Sequence, residues 1–329
     1  MLSTNFNNYV SNFSFRISCL LDCKQCPYNG STILHYEENY GKNGLMDIKS
    51  FWPELGPSIQ EASVYFDKYK NKKIILKYGG QVMSDQSLSK AFAQDAAILR
   101  KLDIDVAVIH GGGPQIKTKL ESQNLESKFI SGLRVTDENV IKVVEDVLLN
   151  EINPDLRDAI INYGAKADSV TVRKNNIIHI DKAIDEQLGF VGDPKKIDTK
   201  ILNNFFKQKI IPVIAPMGMD NKGQVYNINA DTAAGTIANQ IKAERLLLMT
   251  DVPGVNDKNG SLISQLSTKQ ALDLIEDGTI TGGMIPKIKT CISAIESGVN
   301  GVVIIDGRKS HAVLFELFSN LGAGTLIVK

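Results

Sequence analysis

Neither sign of charge is in excess: the 329 residues carry 37 Lys plus Arg against 37 Asp plus Glu, a formal net charge of zero. Without a basic block the chain offers a phosphodiester backbone no electrostatic footprint, so nucleic acid is not an expected partner. No apolar run reaches the roughly 18 residues of a membrane span, and the first 45 residues lack the charged, apolar and small-residue succession of a secretory signal. A cytoplasmic protein with no membrane partner is expected. Cysteine is scarce too. Cys19, Cys23 and Cys26 cluster near the start while Cys291 stands alone, too uneven a set for a disulfide framework, which fits a reducing compartment. The C-x3-C-x2-C spacing can ligate an iron–sulfur cluster. Enzymes that use it so place it at the start of a βα barrel, whereas a polar, Asn- and Tyr-rich stretch follows here. Residues 1–45 are therefore read as a flexible or spurious extension, with Met46 a second possible start. The chain also lacks a G-x4-G-K-[ST] loop, an H-R-D loop, and any Ser–His or Cys–His pair at a suggestive spacing, which excludes P-loop and protein-kinase mechanisms.

What the chain does have is aliphatic content, 43% of its residues being hydrophobic, enough for one large α/β domain or two modest ones. From Met46 onward short aliphatic runs alternate with helical patterns, as in a mostly parallel sheet covered by helices. Strands are expected at 73–77, 105–110, 211–215, 245–250 and 301–305, with helices at 85–101, 137–151, 230–241 and 284–297. Phe51, Leu55, Ile59, Ala62 and Phe66 fall at helical spacing before the first strand, so a helix over 51–69 is expected, docking on a neighbouring subunit or packing on its own domain. Between 168 and 198, short strands around Lys174-Asn175-Asn176 and a turn at Gly192-Asp193-Pro194 suggest hairpins standing over a site.

Two strands run into glycines. Val106-Ala-Val-Ile109-His-Gly111-Gly112-Gly113-Pro114 breaks where a helix can begin, and Ile74-Ile-Leu76-Lys77-Tyr78-Gly79-Gly80 is similar. Glycine lets a phosphate or carboxylate reach the backbone without meeting a Cβ, and a helix start adds unpaired N–H groups and a positive dipole end. Two such cradles suggest two anionic ligands, and Thr281-Gly282-Gly283 makes a third. Lys77 ends the first strand and Lys287 lies in the first turn of the 284–297 helix. A lone lysine is more often a solvated charge, but the glycine turn beside each favours anion binding. Asp231 is either an acid satisfying a helix dipole or a site carboxylate. Asn227 and Asn229 alternate along an extended segment, which turns both amides to one side. Arg134, just before a helix N-cap, can grip a carboxylate bidentately or serve as a surface ion-pair partner.

Over nearly all of residues 70–329 the chain resembles the amino acid kinase family, and within it the branch acting on N-acetyl-L-glutamate. The motifs are KYGG (77–80), HGGGPQI (110–116), SGLRVTD (131–137), YNINADTAAG (226–235), LLLMTDVPGV (246–255) and GGMIPK (282–287). The resemblance implies an α/β fold, a three-layer αβα sandwich around a mostly parallel open sheet with a β-hairpin lid. Residues 71–215 would form mainly the acetylglutamate-binding and dimerisation half, and 216–329 mainly the ATP half. It implies phosphoryl transfer from ATP, arriving with Mg²⁺ and no dedicated protein metal cage, to the substrate's side-chain carboxylate, giving an acyl phosphate of arginine biosynthesis. A carboxylate with a pKa of ~4.3 is already ionised at neutral pH, so the missing general base is no puzzle. By the family's pattern Lys77 and Lys287 lie on the transferring phosphoryl group and leaving side, held by Asp231. Arg134 takes the α-carboxylate, Asn227 lies near the acetamido group, Asn229 is a further substrate-binding residue, and the amides of Gly79, Gly80, Gly112 and Gly113 surround the reacting groups. The nucleotide would lie near Thr250, Asp251, Gly254 and Gly283.

The helix at 46–70 resembles the N-terminal helix of arginine-inhibited members, in which dimers interlace into a hexamer, and the C-terminal region resembles their effector site. L-arginine is thereby implied as an inhibitor at Tyr65, Glu316 and Gly322. Two departures are noted: Gln81 replaces an asparagine common after KYGG, and Val303 stands where many arginine-sensitive members have histidine. Rival readings are another amino acid kinase, acting on glutamate or aspartate, and a non-catalytic arginine-sensing module. SGLRVTD with NINAD argues against the first. Retention of Lys77, Asp231 and Lys287, and a chain ending at Lys329 without room for an acetyltransferase domain, argue against the second. A PII-type signalling partner is left open.

Overall fold

The computed structural model describes residues 48–329 apart from Ile184 and the side chain of Gln81. The expectations for residues 1–45, for Met46 and for the Gln81 side chain lie outside the described residues.

In chain order the strands are β1 (Lys73–Tyr78), β2 (Asp105–His110), β3 (Phe129–Ile130), β4 (Leu133–Arg134), β5 (Lys166–Val170), β6 (Ile178–Lys182), β7 (Gly192–Ile197), β8 (Ile210–Ile214), β9 (Met217–Met219), β10 (Val225–Asn227), β11 (Arg245–Thr250), β12 (Gln265–Ser267), β13 (Val302–Asp306) and β14 (Gly324–Val328). Eight form the central sheet in the order β12-β14-β13-β11-β1-β2-β8-β5. Every pair in it is parallel except β13 with β14.

The sheet is buried on both faces, which is why its strands read as continuous aliphatic runs. Alternation along each strand sorts the side chains. Ile75, Ile109, Leu248 and Ile304 pack beneath a layer that includes the helices Ala230–Gln240 and Met284–Glu296. Ile74, Leu76, Val108 and Val303 pack beneath the helices Gln86–Lys101, Asn153–Asn162 and Ala312–Phe318 on the other side. Each such side chain contributes roughly 1.5–3 kcal/mol of burial. The result is the three-layer αβα sandwich. Lys77, two residues after Ile75, is aimed by the same alternation at the layer holding Ala230–Gln240 and Met284–Glu296.

Two smaller sheets stand at the carboxyl edge: a four-stranded one in the order β10-β9-β6-β7 and the β3–β4 hairpin. Here the sequence reading needs correction. Gly192, Asp193 and Pro194 open β7 and pair with β6 rather than making a turn, while β5 belongs to the central sheet beside β8.

The N-terminal helix is shorter than its spacing suggests, spanning Ile59–Tyr69 with Ser58 as N-cap, accepting from Glu61 N at 3.2 Å. Pro53 and the Gly56-Pro57 pair interrupt anything longer, and Leu55 is 74% exposed. Its apolar face, Ala62, Phe66 and Tyr69, packs on the chain's own core, with Phe66 edge-on to Phe318 at 5.3 Å between ring centroids. The helix expected over 137–151 is a composite: Glu138–Asp146, a π-helical turn at Val147–Ile152, then Asn153–Asn162. Among the described residues no helix is long and apolar enough to cross a membrane.

Candidate active site

Three elements converge where β1 ends. Lys77 Nζ lies 2.9 Å from Asp231 Oδ1, and Lys287 Nζ lies 2.7 Å from Asp231 Oδ2. Asp231 sits in the first turn of Ala230–Gln240, whose N-cap Asn229 accepts from the backbone N–H of Asp231 at 2.9 Å and of Thr232 at 3.1 Å. Lys287 sits in the first turn of Met284–Glu296. Neither lysine is an ordinary solvated charge: Lys77 is buried and the Lys287 side chain is about a quarter exposed. Burial works to raise the Asp231 carboxyl, but the charges of Lys77 and then Lys287 outweigh it and hold the group well below the usual carboxylate range. One carboxylate between two ammoniums leaves the cluster one positive charge in excess. Gly79 makes this possible, because a Cβ there would stand 2.8 Å from Lys77 Nζ and 3.0 Å from its Cε.

A cavity of about 250 Å³ opens beside the cluster. Lys77, Asp231 and Lys287 bound it, as do Gly80, the Gly111–Gly113 turn and the β3–β4 hairpin with Arg134. Arg134 is buried, donates to Ser127 Oγ and, at 3.1 Å, to the Gly113 carbonyl, and lies over the Phe129 ring at 4.7 Å. No carboxylate pairs with it among the described residues, and burial lowers its pKa. A guanidinium desolvated without a counter-ion suits an incoming carboxylate. Asn227 lines the same space and donates to Thr136 Oγ1 at 3.3 Å. Asn229 lines it too, but its side-chain oxygen is already committed to capping the helix. The cavity thus carries a guanidinium without a carboxylate partner and an ammonium pair, fitting a ligand with two acidic groups.

The remaining residues predicted for the nucleotide are not in this lining, and neither is Gly79. Thr250 ends β11 at the same edge of the sheet as Lys77, two rows beyond its neighbour Leu248, and donates to Asp251 Oδ1 at 3.2 Å. Gly283 precedes Met284–Glu296 with no side-chain cap. Gly254 packs against Thr325, whose Oγ1 would be 2.5 Å from a Cβ there. Farther off, Tyr65 donates to Asn320 Oδ1 at 2.6 Å, and Glu316 accepts from Ala323 N at 2.7 Å with Gly322 against its carboxylate. Tyr65 and Glu316, on two different helices, therefore both contact the 320–323 loop that carries Gly322. Burial raises the Glu316 pKa, opposed by backbone hydrogen bonds and the charges of Arg245 and Lys68.

Sequence reasoning passed over His110 and Asn153, both fully buried behind the glycine turn. The histidine's place immediately before Gly111-Gly112-Gly113 was the available signal. Asn153 carried none, since its approach depends on the π-helical turn.

The description of the amino acid kinase family matches residues 72–306. The acetylglutamate kinase of Bradyrhizobium diazoefficiens is 48% identical over 285 residues, covering 82% of this chain and 96% of that protein. That of Pelagibacter ubique is 46% identical over 281 residues, 85% of this chain and 97% of its own. Among solved structures, N-acetylglutamate synthase from Neisseria gonorrhoeae, complexed with coenzyme A and N-acetyl-glutamate, aligns over 83% of this chain with a TM-score of 0.75 and 25% identity. This chain spans 64% of that protein's length.

Proposed function

The chain belongs to the amino acid kinase family, and from that premise we propose that Lys77 and Lys287 guide a phosphoryl group onto an acid held by Arg134. The reaction is the ATP-dependent phosphorylation of N-acetyl-L-glutamate, in arginine biosynthesis. A side-chain carboxylate oxygen attacks the γ-phosphorus, the bond to the β,γ-bridging oxygen breaks, and ADP leaves with that electron pair. No proton has to move, because the acceptor arrives ionised. What needs control is charge, since two anions meet while negative charge shifts to the leaving oxygen. The observation that carries this reading is the Lys77–Asp231–Lys287 cluster, fixed in place and one positive charge in excess.

The family's pattern, with the positions described above, supports the remaining roles. Arg134 holds the α-carboxylate, Asn227 the acetamido group with Asn229 shaping the helix start beside it, and the amides of Gly80, Gly112 and Gly113 face the reacting groups. Gly79 acts through Lys77. Thr250, Asp251, Gly254 and Gly283 would hold the nucleotide, with Lys77 and Lys287 on its phosphates. Mg²⁺, carried by ATP, would supply neutralisation of phosphate charge. L-arginine acts as inhibitor at the Tyr65, Glu316 and Gly322 region, in a cytoplasmic enzyme that dimerises through the 71–215 half and interlaces through the N-terminal helix as a hexamer. Sedimentation of protein lacking residues 46–69 checks that last point; a surviving hexamer defeats it.

A substrate panel with hydroxylamine trapping tests the chemistry. Hydroxamate should form from N-acetyl-L-glutamate with ATP; activity confined to unacetylated glutamate would make this a glutamate kinase. Lys287→Ala should fold and lose about 10²-fold or more in kcat, as when one oxyanion donor is removed. Near-normal turnover would return Lys287 to the role of a surface charge.

A further inference from the structure

We infer that His110 and Asn153 form a buried positioning pair that aims the Gly112 backbone N–H into the cavity, toward the anion that the phosphoryl-transfer reading above, on which this inference rests, would bind there. Alternation along β2 sends His110 to the face opposite Ile109, toward the Asn153–Asn162 helix. Its Nδ1 is 2.8 Å from the Gly111 carbonyl oxygen and its Nε2 is 3.0 Å from Asn153 Nδ2. Asn153 Nδ2 is also 2.9 Å from the Val213 carbonyl oxygen on β8. Both side chains are 0% exposed, and neither lines the cavity.

These contacts set one another in order. The Val213 carbonyl can only accept, so the Asn153 NH₂ must face it; the flipped amide would oppose two oxygens. That same NH₂ meets His110 Nε2, which is therefore the acceptor, so the neutral ring carries its proton on Nδ1 and donates it to Gly111. Burial keeps the ring neutral, with its pKa pushed down to about 4.

A trans peptide points its C=O and N–H to opposite sides. With the Gly111 carbonyl held back toward His110, the Gly112 N–H points the other way, and no acceptor meets it among the described residues. The Gly111 N–H is itself tied to the Tyr78 carbonyl at 2.6 Å, so the turn cannot swivel from its other end. Leu148 and Ile152 close it from behind, since a Cβ on Gly112 would stand 2.5 Å from Leu148 Cδ2 and 2.9 Å from Ile152 Cδ1. Leu148, Ile152 and, directly after them, Asn153 are delivered by the π-helical turn, a feature that recurs at functional sites.

The test compares two replacements of His110 in the full-length enzyme. Asn places an NH₂ near the Nδ1 position and can still donate to Gly111, whereas Gln reaches toward the Nε2 position and cannot. His110→Asn should lose about tenfold in kcat and His110→Gln about 10²–10³-fold, the cost of a misdirected oxyanion donor, with similar KM for N-acetyl-L-glutamate and similar Tm. Equal kcat in the two variants, or losses that track Tm, would overturn the inference. Should either variant fail to fold, ¹⁵N-histidine spectra of the unaltered enzyme decide: a neutral Nδ1–H tautomer for His110 is expected, and Nε2–H would overturn the inference. An unaltered enzyme that makes no acyl phosphate would instead remove the reading of the site, which the tautomer measurement does not touch.

Discussion

Replacing Asp231 by Asn keeps the shape of the central residue and removes its charge. In the native cluster two ammoniums contact one carboxylate at 2.9 and 2.7 Å. Each opposite-charge pair is worth roughly 4 kcal/mol at a separation of about 4 Å and an effective dielectric near 20. Desolvation of the carboxylate, whose side chain is 12% exposed, returns part of this. In Asp231→Asn the amide offers one oxygen to two cations, so one ammonium loses its acceptor and the two repel. Breaking a fully buried pair costs about 3–5 kcal/mol; Lys287 reaches water, so the lower end, about 3 kcal/mol, applies. Displaced cations should cost about 10²–10³ in kcat. Turnover by hydroxamate formation, paired with urea unfolding, measures both quantities. Adding Lys287→Ala to Asp231→Asn should cost less than about tenfold more, because the three residues act as a unit. A variant with kcat within about threefold of the unaltered enzyme, or fully additive losses, would refute the cluster as the source of charge control. The stability from Asp231 ionisation is fully present above a normal aspartate pKa of about 4 and is lost as pH falls toward its lower folded value, so the working range near neutrality is untouched.

Arg134→Lys should raise KM for N-acetyl-L-glutamate by about tenfold or more with a smaller change in kcat, because an ammonium cannot reproduce the planar fork; steady-state kinetics with unchanged KM would refute its role on the α-carboxylate. Gly79→Ala should lower kcat by about tenfold or more by pushing Lys77 Nζ off Asp231, and should lower Tm less than Asp231→Asn does because all three charges remain and the clash falls on a flexible side-chain end; normal turnover would show that Lys77 has freedom to spare. The His110 pKa is pushed from 6.5 to about 4 by burial, so between those values the unfolded chain binds more protons and stability falls as pH falls. Between pH 7 and 4.5 this amounts to about 2 kcal/mol, which His110→Asn should remove from the acid limb of urea unfolding; equal acid losses in both proteins would refute it.

Much of the site was legible before any geometry. A lysine closing a buried strand beside two glycines, an aspartate opening a helix, and a second lysine after another glycine pair are local signals, because turns and helix starts are short-range features. Their partnership was not legible: Lys77 and Asp231 are 154 positions apart, and Asp231 could equally have been a dipole-satisfying acid. Asn229 shows the limit from the other side. Its place in the motif suggested a ligand contact, yet its oxygen caps the helix that presents Asp231. The N-terminal helix was overextended because apolar spacing persisted through prolines that the backbone cannot accommodate in a helix interior.

Composition and pattern alone settled the α/β class and the principal strands and pointed to anionic ligands, since these rest on burial, periodicity and the missing Cβ of glycine. Which residues meet was decided by the packing of distant elements. The alternation of β1 sends Lys77 under the Ala230–Gln240 helix, that of β2 sends His110 under Asn153, and a π-helical turn invisible to a 3.6-residue period sets Asn153 in reach. A side chain's neighbours across the sheet are fixed by strand order and crossover, and no local stretch of chain encodes those by itself.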